Sequence, residues 1–289
     1  MSIQEIDLHH CGVERAICAY ADAEQGWIVD PGPEVTAQTL RDALPDGFAA
    51  RKILLTHIHF DHAGATGRLL EWWPEAEVWV HERGAPHMID PSRLVASATR
   101  IYGDEFERLW GKVLPLPADR VRVLTGDEPL DGWQVRYTPG HASHHVSYLH
   151  ESTGTAFVGD VAGVRIQEGP VFPPTPPPDI DLGLWHESID LVQAWSPQQL
   201  ALTHFGRWDD VDEHLGRLRE QLDTWGDAAR TSTPEEYADK VQAFIDGATT
   251  DPVTRSAYGQ ANPPSTLYAG MARYWAKKGE RDHRSAAAE

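Results

Sequence analysis

The sequence predicts an α/β fold in which a layered core is followed by a helical extension. Strand-like and helical segments alternate up to about residue 208, and only helical segments follow, which is typical of a layered α/β core. The chain has 289 residues, of which 41 % are apolar, so it can bury a sizeable core. We therefore divide it into a core over residues 1–208 and a C-terminal helical extension over residues 209–289.

The first elements of the core are short. Strands are predicted in "ERAICAYAD" and "QGWIVDPG", and the turn formers Asp30 to Gly32 end the second strand. A helix is expected near Val35 to Leu44, and a strand in "KILLT" follows it. A short helix is then expected after His62, because Gly64 allows the backbone to pass close to a ligand. "AEVWVHE" is the next predicted strand.

The second part of the core begins after a less regular segment. Residues 84–117 mix helical stretches with prolines and are predicted to form a helical insert over one face. Strands resume in "VRVLT", "WQVRYTPG", "HVSYLH" and "TAFVGD". The Pro-rich segment "GPVFPPTPPPD" is stiff and cannot join a central strand. A helix in "LGLWHESIDLVQAW" and a strand in "QLALTHFG" complete the core.

The extension is predicted to contain three helices. Leucines at 215, 218 and 222 have helical spacing in the first. The second begins with a capping box, because Thr233 precedes a proline and is followed three residues later by Glu236. The third is "STLYAGMARYWAKKG".

Composition excludes several classes of function. A net charge of −19 argues against nucleic-acid partners, since phosphate backbones would be repelled. Cys11 and Cys18 form neither a zinc motif nor a disulfide framework, which fits a reducing compartment. The sequence contains no apolar run of about 18 residues and no evident signal peptide. We therefore expect a cytoplasmic protein that does not bind membranes.

The stretch "THIHFDHAG" contains four potential metal ligands within six positions, directly after an apolar run. A lone histidine at the end of a strand is usually a structural polar residue, but a cluster of this density favours metal binding. Zinc binds imidazole nitrogen and carboxylate oxygen, and further donors occur at the ends of later predicted strands. Seven donors are the number that two metals with a bridging carboxylate would use. The candidates are His57, His59, Asp61, His62, His141, Asp160 and His204.

These motifs resemble those of the metallo-β-lactamase-fold hydrolases. "THIHFDHAG", "TPGHASHH", "FVGD" and "LTHFG" occur in that family's order, and "VDPG" resembles its first motif. The resemblance covers about residues 5–208 and implies a four-layer αββα sandwich with metals at the strand edges between two sheets. It is closer to glyoxalase II-like enzymes and lactonases than to β-lactamases, in which a cysteine usually replaces the bridging aspartate.

The resemblance also implies ligand and catalytic roles. One metal would be held by His57, His59 and His141, and a second by Asp61, His62 and His204, with Asp160 bridging. The catalytic residues would be Asp61 and Asp160. A metal-bridging hydroxide would attack the substrate. Asp61 would orient this hydroxide and pass a proton to the leaving group. The expected cofactor is Zn²⁺, two per chain, with iron or manganese as alternative metals.

Other residues have less specific expectations. His145 matches by position the second histidine of the family's third motif and is expected to support a ligand, while His144 has no assigned role. Asp30 could orient a ligand or be a plain turn residue. Three aromatic side chains could line a pocket but are more often core or interface residues: Tyr102, Trp110 and Trp185. His186, on a predicted helix beside the Pro-rich segment, is a candidate for substrate contact. His9, His10, His81 and His150 are expected at strand edges.

The leading functional hypothesis is a binuclear zinc hydrolase acting on a small ester, thioester or lactone. No basic patch for glutathione is evident in the sequence. A mononuclear iron persulfide dioxygenase could use His57, His141 and Asp160 as a facial triad. The negative net charge disfavours a nuclease, and the complete ligand set disfavours a non-catalytic binding protein. β-Lactam hydrolysis stays open as an alternative. A homodimer through the aromatic insert is a further expectation.

Overall fold

Two six-stranded mixed sheets form the centre of this computed structural model, which describes residues 2–130 and 132–286. Strands of the first sheet follow chain order across it: β1 (Gln4–Asp7), β2 (Cys18–Asp22), β3 (Trp27–Val29), β4 (Lys52–Leu54), β5 (Glu77–His81) and β6 (Val121–Leu124). The second sheet has the strands β7 (Pro129–Leu130), β8 (Trp133–Tyr137), β9 (Val146–His150), β10 (Thr155–Phe157), β11 (Gln199–Leu202) and β12 (Gly206–Trp208), also adjacent in chain order.

The helices pack on the outer faces of the sheets. They are α1 (Ala37–Ala43), α2 (Phe60–Ala63), α3 (Thr66–Trp72), α4 (Ala85–Ile89), α5 (Ser92–Tyr102), α6 (Phe106–Trp110), α7 (Leu182–Ala194), α8 (Val211–Thr231), α9 (Pro234–Ala248), α10 (Pro252–Ala261) and α11 (Pro264–Ala286). None of the described helices combines the length and apolar character that a bilayer span requires.

Alternation along the strands produces four layers. In β2, Tyr20 packs with Trp133 and Phe157 of the other sheet, whereas its neighbours Ala19 and Ala21 face the helices on the outer side. The second sheet likewise has an outer face that forms one hydrophobic core with α7–α11. The arrangement is therefore helix, sheet, sheet, helix, which confirms the predicted sandwich and its helical extension.

The helical extension shares its core with the second sheet. Leu218 and Leu222 of α8, Tyr237 of α9 and Tyr258 of α10 are buried in the same cluster as Leu200 of β11. The division of the chain at residue 208 stays a prediction, because these helices and the second sheet have one continuous core.

Several local predictions differ from the structure. The helix expected after His62 corresponds to α3, which begins at Thr66, and it is preceded by a separate short helix, α2, that contains Asp61 and His62. The sequence reasoning missed two helices, α4 and α10, and three short strands, β1, β7 and β12. The capping box of α9 is confirmed, since the Thr233 side chain accepts from the Glu236 amide and the Glu236 side chain accepts from the Thr233 amide.

Candidate metal centre

The seven predicted ligands converge at one edge of the sandwich, where strands of both sheets end. β4 leads into the loop that carries His57, and β11 leads directly to His204. β10 is followed by a short 3₁₀ turn that contains Asp160. Since β3 and β4 run parallel, as do β10 and β11, the carboxyl ends of these strands meet at this edge. The structure therefore gathers side chains that are up to 147 positions apart, from 57 to 204.

The first group of donors consists of His57, His59, His141 and Asp160, whose ligand atoms all lie within 4.8 Å of one another. His59 Nδ1 lies 2.9 Å from His57 Nε2 and 3.0 Å from His141 Nε2. The Asp160 Oδ2 atom is 3.3 Å from His141 Nε2. Donors bound at about 2.0–2.2 Å to one zinc ion are themselves separated by roughly 3 Å, so these spacings match one metal position.

The second group consists of Asp61, His62 and His204, which meet the same 4.8 Å limit. Asp61 Oδ2 is 3.3 Å from His204 Nε2 and 3.9 Å from His62 Nε2. The other oxygen of Asp160, Oδ1, lies 3.3 Å from His62 Nε2 and 3.6 Å from His204 Nε2. Asp160 therefore presents one oxygen to each group, which is the arrangement of a bridging carboxylate.

Hydrogen bonds from the remote ring nitrogens orient the imidazoles. His62 Nδ1 donates to Asp30 Oδ2 at 2.8 Å, His141 Nδ1 to the Pro174 carbonyl at 2.9 Å, and His204 Nδ1 to the Ala16 carbonyl at 2.6 Å. Because each of these protons is on Nδ1, the Nε2 lone pair is left facing the donor groups, as metal ligation requires.

Asp30 supports ligands of both groups. Its Oδ2 atom accepts from His62 Nδ1 and from the hydroxyls of Thr56 at 2.7 Å and Thr203 at 2.9 Å, while Oδ1 accepts from the Thr56 amide at 2.8 Å. The Thr56 hydroxyl oxygen is also 3.1 Å from His57 Nδ1. It can accept a hydrogen bond from His57 while its own proton is donated to Asp30. Asp30 is fully buried, so it is a ligand-orienting residue and not a plain turn aspartate.

Comparison with known proteins identifies the family. Residues 20–196 match the family model of the Metallo-beta-lactamase superfamily. The chain belongs to this superfamily. The match covers 61 % of the 289 residues, and it confirms the resemblance inferred from the motifs.

Individual superfamily relatives agree with the fold. Metallo-beta-lactamase fold-containing protein ST1585 of Sulfurisphaera tokodaii is 33 % identical over 175 residues, which cover 57 % of this chain and 65 % of that protein. Its crystal structure superposes with a TM-score of 0.71 and covers 93 % of this chain and 98 % of that one. A hydroxyacylglutathione hydrolase of Legionella pneumophila is 30 % identical over 149 residues, covering 51 % of this chain and 47 % of the relative.

A further solved structure bears on the metal. TTHA1623, crystallised in a di-iron-bound form, has a TM-score of 0.55 and 26 % identity, and covers 70 % of this chain and 93 % of that one. By sequence, the chain spans between about half and two-thirds of the length of the curated relatives named above. The superfamily is thus established and the structure contains a candidate metal-binding cluster of histidines and aspartates, while the metal and the substrate are matters for proposal.

The donor set of this superfamily member fits a divalent metal. Among the described residues, His62 Nε2, His204 Nε2 and Asp160 Oδ1 are buried and have no hydrogen-bond partner. An unpartnered buried polar atom costs about 1–3 kcal/mol, and three of them point into one small space. A cation between them would satisfy all three.

The two groups differ in their affinity for protons. Burial, reinforced by the neighbouring imidazoles, holds the pKa of His57 well below its usual range and lowers that of His59 to about 4. Burial opposes protonation of His62 too, but the nearby carboxylates, Asp160 foremost, raise the pKa of His62 well above its usual value. The pKa of His204 is raised in the same way.

Both carboxylates of the centre stay ionised. Burial acts to raise the pKa of Asp61 and of Asp160, but the facing imidazoles of His62 and His204 outweigh it and hold both values below the usual range. The centre therefore combines two anionic donors with uncharged imidazoles in the first group and proton-attracting imidazoles in the second.

Only one side of the cluster is open. The side chain of Asp61 is 21 % exposed, compared with 4 % for Asp160 and 1 % or less for His62 and His204. His59 is half-buried and is the other donor that reaches solvent. Within the described part of the chain, the cluster is therefore accessible to solvent from the side of Asp61 and His59.

The helical insert lines one wall of this open side with aromatic side chains. Phe60, between the two exposed donors, packs edge-on against Phe106 of α6 and lies 6.2 Å from the Trp110 ring. Tyr102 packs edge-on against Trp110, and burial followed by the Asp61 charge raises the pKa of its hydroxyl to about 12. Tyr102 and Trp110 thus belong to the wall beside the site, a role that the sequence left open.

His10 is the residue near the site that sequence reasoning missed. It was expected at a strand edge, but it lies in a turn, is buried, and stacks on Trp110 at 5.4 Å. Its Nε2 donates to the Leu109 carbonyl at 2.7 Å, and its Nδ1 accepts from Gln260 at 3.1 Å. His10 thereby joins the N-terminal loop, the insert and α10. No motif could have identified it.

The remaining histidines have supporting roles. His145 Nδ1 is 2.9 Å from the Thr138 hydroxyl, and its ring stacks on His57, as expected for a residue behind the ligands. His144 Nδ1 accepts from the Ile58 amide at 3.4 Å. His186, a candidate for substrate contact, instead lies between α7 and α8, where it pairs with Asp223 at 3.0 Å.

Trp185 belongs to the core that supports the site. It is fully buried, donates to the Val161 carbonyl at 2.8 Å, and packs against the His141 ring at 5.5 Å.

Proposed function

We propose that this protein is a binuclear zinc-dependent hydrolase of a small ester, thioester or lactone. The observation that carries the proposal is the position of Asp160, whose two oxygens face two separate donor groups. A single-metal enzyme would need only one of these groups. The orphaned nitrogens of His62 and His204 support the presence of a second cation.

The bound cations would supply Lewis acidity and a nucleophilic water at neutral pH. The side chains of the protein would handle the proton and exclude water. Asp61 is the exposed carboxylate, and its Oδ2 faces His204. It can hold a water by hydrogen bonding, accept its proton and return that proton to the departing alkoxide or thiolate. The aromatic side chains of the insert exclude water from the other face of the substrate.

The shape of the open side favours a small, uncharged acyl group. Phe60, Phe106, Trp110 and Tyr102 form part of one apolar cluster beside Asp61. The chain has a net charge of −19, which disfavours polyanionic substrates. The similarity to a hydroxyacylglutathione hydrolase supports hydrolysis of an acyl bond, and we propose a substrate less charged than hydroxyacylglutathione.

The test combines metal analysis and turnover on one sample. Protein purified without added metal is analysed for metal content by mass spectrometry, and the same preparation is assayed on a panel of lactones, thioesters and aryl esters. About two zinc ions per chain with turnover of one substrate class would support the proposal. One iron per chain, with oxygen uptake on a persulfide and no hydrolysis, would replace it with the dioxygenase hypothesis.

A further inference from the structure

Arg165 lies in the loop that follows Asp160, on the side of the centre that faces the helical extension. It is only 7 % exposed, which is rare for an arginine. Its Nη1 atom donates to both oxygens of Asp210, at 2.7 and 2.8 Å, just before the first turn of α8. Its guanidinium carbon is 3.6 Å from the centroid of the Trp208 ring. The side chain is therefore fixed by a charged pair and a cation–π contact.

The backbone of Arg165 is bonded to both sides of the His204–Phe205 peptide. Its amide donates to the His204 carbonyl at 2.7 Å, and its carbonyl accepts from the Phe205 amide at 3.1 Å. Arg165 is five positions after Asp160. Two ligands from distant parts of the chain are consequently joined through one residue, whose own position depends on Asp210.

His214, in α8, reinforces the same link. Its Nε2 donates to the carbonyl of Ala162 at 2.8 Å, at the end of the 3₁₀ turn that carries Asp160. Its Nδ1 lies 3.4 Å from Arg165 Nη1 and can accept from it. Burial lowers the pKa of His214 to about 4, so at neutral pH the ring carries the single proton that this pattern requires.

We infer that Arg165, held by Asp210 and His214 of the C-terminal extension, is a positioning residue that sets the separation of Asp160 from His204 and hence the affinity of the second donor group. The inference rests on the proposed binuclear function. His57, His59 and His141 have no such connection to α8: His57 is held through Thr56, and His141 through the Pro174 carbonyl. Asp160 faces both groups, but His204 belongs to the second group alone, so loss of the Asp210–Arg165 contact should weaken the second metal position more than the first.

Asp210→Ala is the most informative variant. The Asp210 side chain is 28 % exposed and makes no capping hydrogen bond to α8, so its removal acts mainly through Arg165. Arg165 would keep its buried charge without a carboxylate partner and would move toward solvent. Arg165→Lys, which keeps the charge, is the conservative variant. It should retain the second zinc ion partly, between the native protein and Asp210→Ala.

Asp190→Ala provides a matched control. Asp190 forms an ion pair with Arg219 that joins α7 to α8, as the Asp210 pair joins the Arg165 loop to α8, but it touches no ligand segment. Zinc-loaded samples of the native protein and of each variant are titrated with increasing concentrations of a chelator. Zinc per chain is then measured by mass spectrometry, and thermal unfolding in excess zinc verifies the fold.

The expected result is selective release. In Asp210→Ala, one of two zinc ions should be lost at about 10- to 100-fold less chelator than in the native protein, while the other is retained as before. Asp190→Ala should follow the native curve. A native-like curve for Asp210→Ala, or simultaneous release of both ions, would overturn the inference while leaving the binuclear proposal intact. A native protein that holds one zinc would refute the binuclear proposal and the inference with it.

Discussion

Replacing Asp30 by asparagine tests how the buried hydrogen bonds control the metal centre. Asparagine keeps the shape of the side chain and one carbonyl oxygen, which can still accept from the Thr56 amide. It places an amide NH₂ where Oδ2 now accepts from three donors. The hydroxyls of Thr56 and Thr203 can rotate and accept instead, but the Nδ1–H of His62 cannot. His62 must then either lose its partner or change tautomer, which puts the proton on the Nε2 atom that faces the second group.

The expected magnitudes follow from this single mismatch. Loss of one hydrogen bond to a charged acceptor should lower the free energy of unfolding by about 1.5–3 kcal/mol. A metal-binding histidine without its orienting partner typically loses 10- to 100-fold in metal affinity, equivalent to about 1.4–2.8 kcal/mol. We therefore expect Asp30→Asn to fold and to lose the second zinc ion first.

Urea unfolding and chelator titration of zinc-loaded protein measure the two effects separately. Asp22→Asn is the control, because Asp22 is equally buried at the end of β2, accepts from the Gln25 amide at 2.8 Å, and has an unpartnered Oδ2 where an amide group can be placed. It should leave zinc retention unchanged. If Asp30→Asn lost stability but resisted chelator like the native protein, the reasoning that Asp30 fixes the His62 tautomer would be refuted.

Three further predictions concern catalysis, pH and folding. Asp61→Ala should lower kcat by about 10²- to 10⁴-fold in excess zinc, because the carboxylate that handles the proton is lost. Acidification from pH 7 toward 4 should release the zinc of the second group first, because protons compete with the metal for each imidazole nitrogen. The pKa values of His62 and His204, in the second group, are raised, whereas the pKa of His59, in the first group, is lowered to about 4. Thr233→Ala, which removes the capping box of α9, should cost about 1 kcal/mol of stability and leave zinc content unchanged.

Each of these predictions has a direct check. Circular dichroism and thermal unfolding show whether the Asp61 variant keeps its fold, and unchanged turnover would rule out its proposed role. Zinc per chain after dialysis at stepwise lower pH follows the acid release, and loss of both ions in one step would contradict the assigned difference between the groups. Urea unfolding measures the capping effect, and a Thr233 variant that lost zinc would show that α9 is coupled to the centre.

The convergence of the seven candidate ligands could be predicted from the sequence because metal donors have few alternatives. A run of three histidines and an aspartate after a buried strand is rare, and Asp160 and His204 each follow an apolar strand directly. The α/β layers could be predicted as well, since the strands and the long helices have strong periodicity. The two donor groups in the structure have the membership that the family resemblance implies, while their binding of metal and the catalytic roles stay predictions.

The surroundings of the centre could not be predicted, because they depend on contacts between distant segments. His10 is placed by Leu109 and Gln260, which are 99 and 250 positions away. In the sequence alone, Arg165 cannot be distinguished from an ordinary exposed arginine, because its burial depends on the packing of α8. Phe60, the first residue of α2, packs against Phe106 of the insert, an interaction that the local sequence does not encode.

The order of the strands has a consequence for assembly of the centre during synthesis. Each sheet is built from one continuous part of the chain, residues 4–124 and 129–208, and each donor group takes ligands from both parts. The first group is complete only when residue 160 has been made, and the second only when residue 204 has been made. Cations bound there would cross-link the two halves and favour the folded state by mass action. A ribosome-bound chain that ends before residue 160 therefore contains neither complete group.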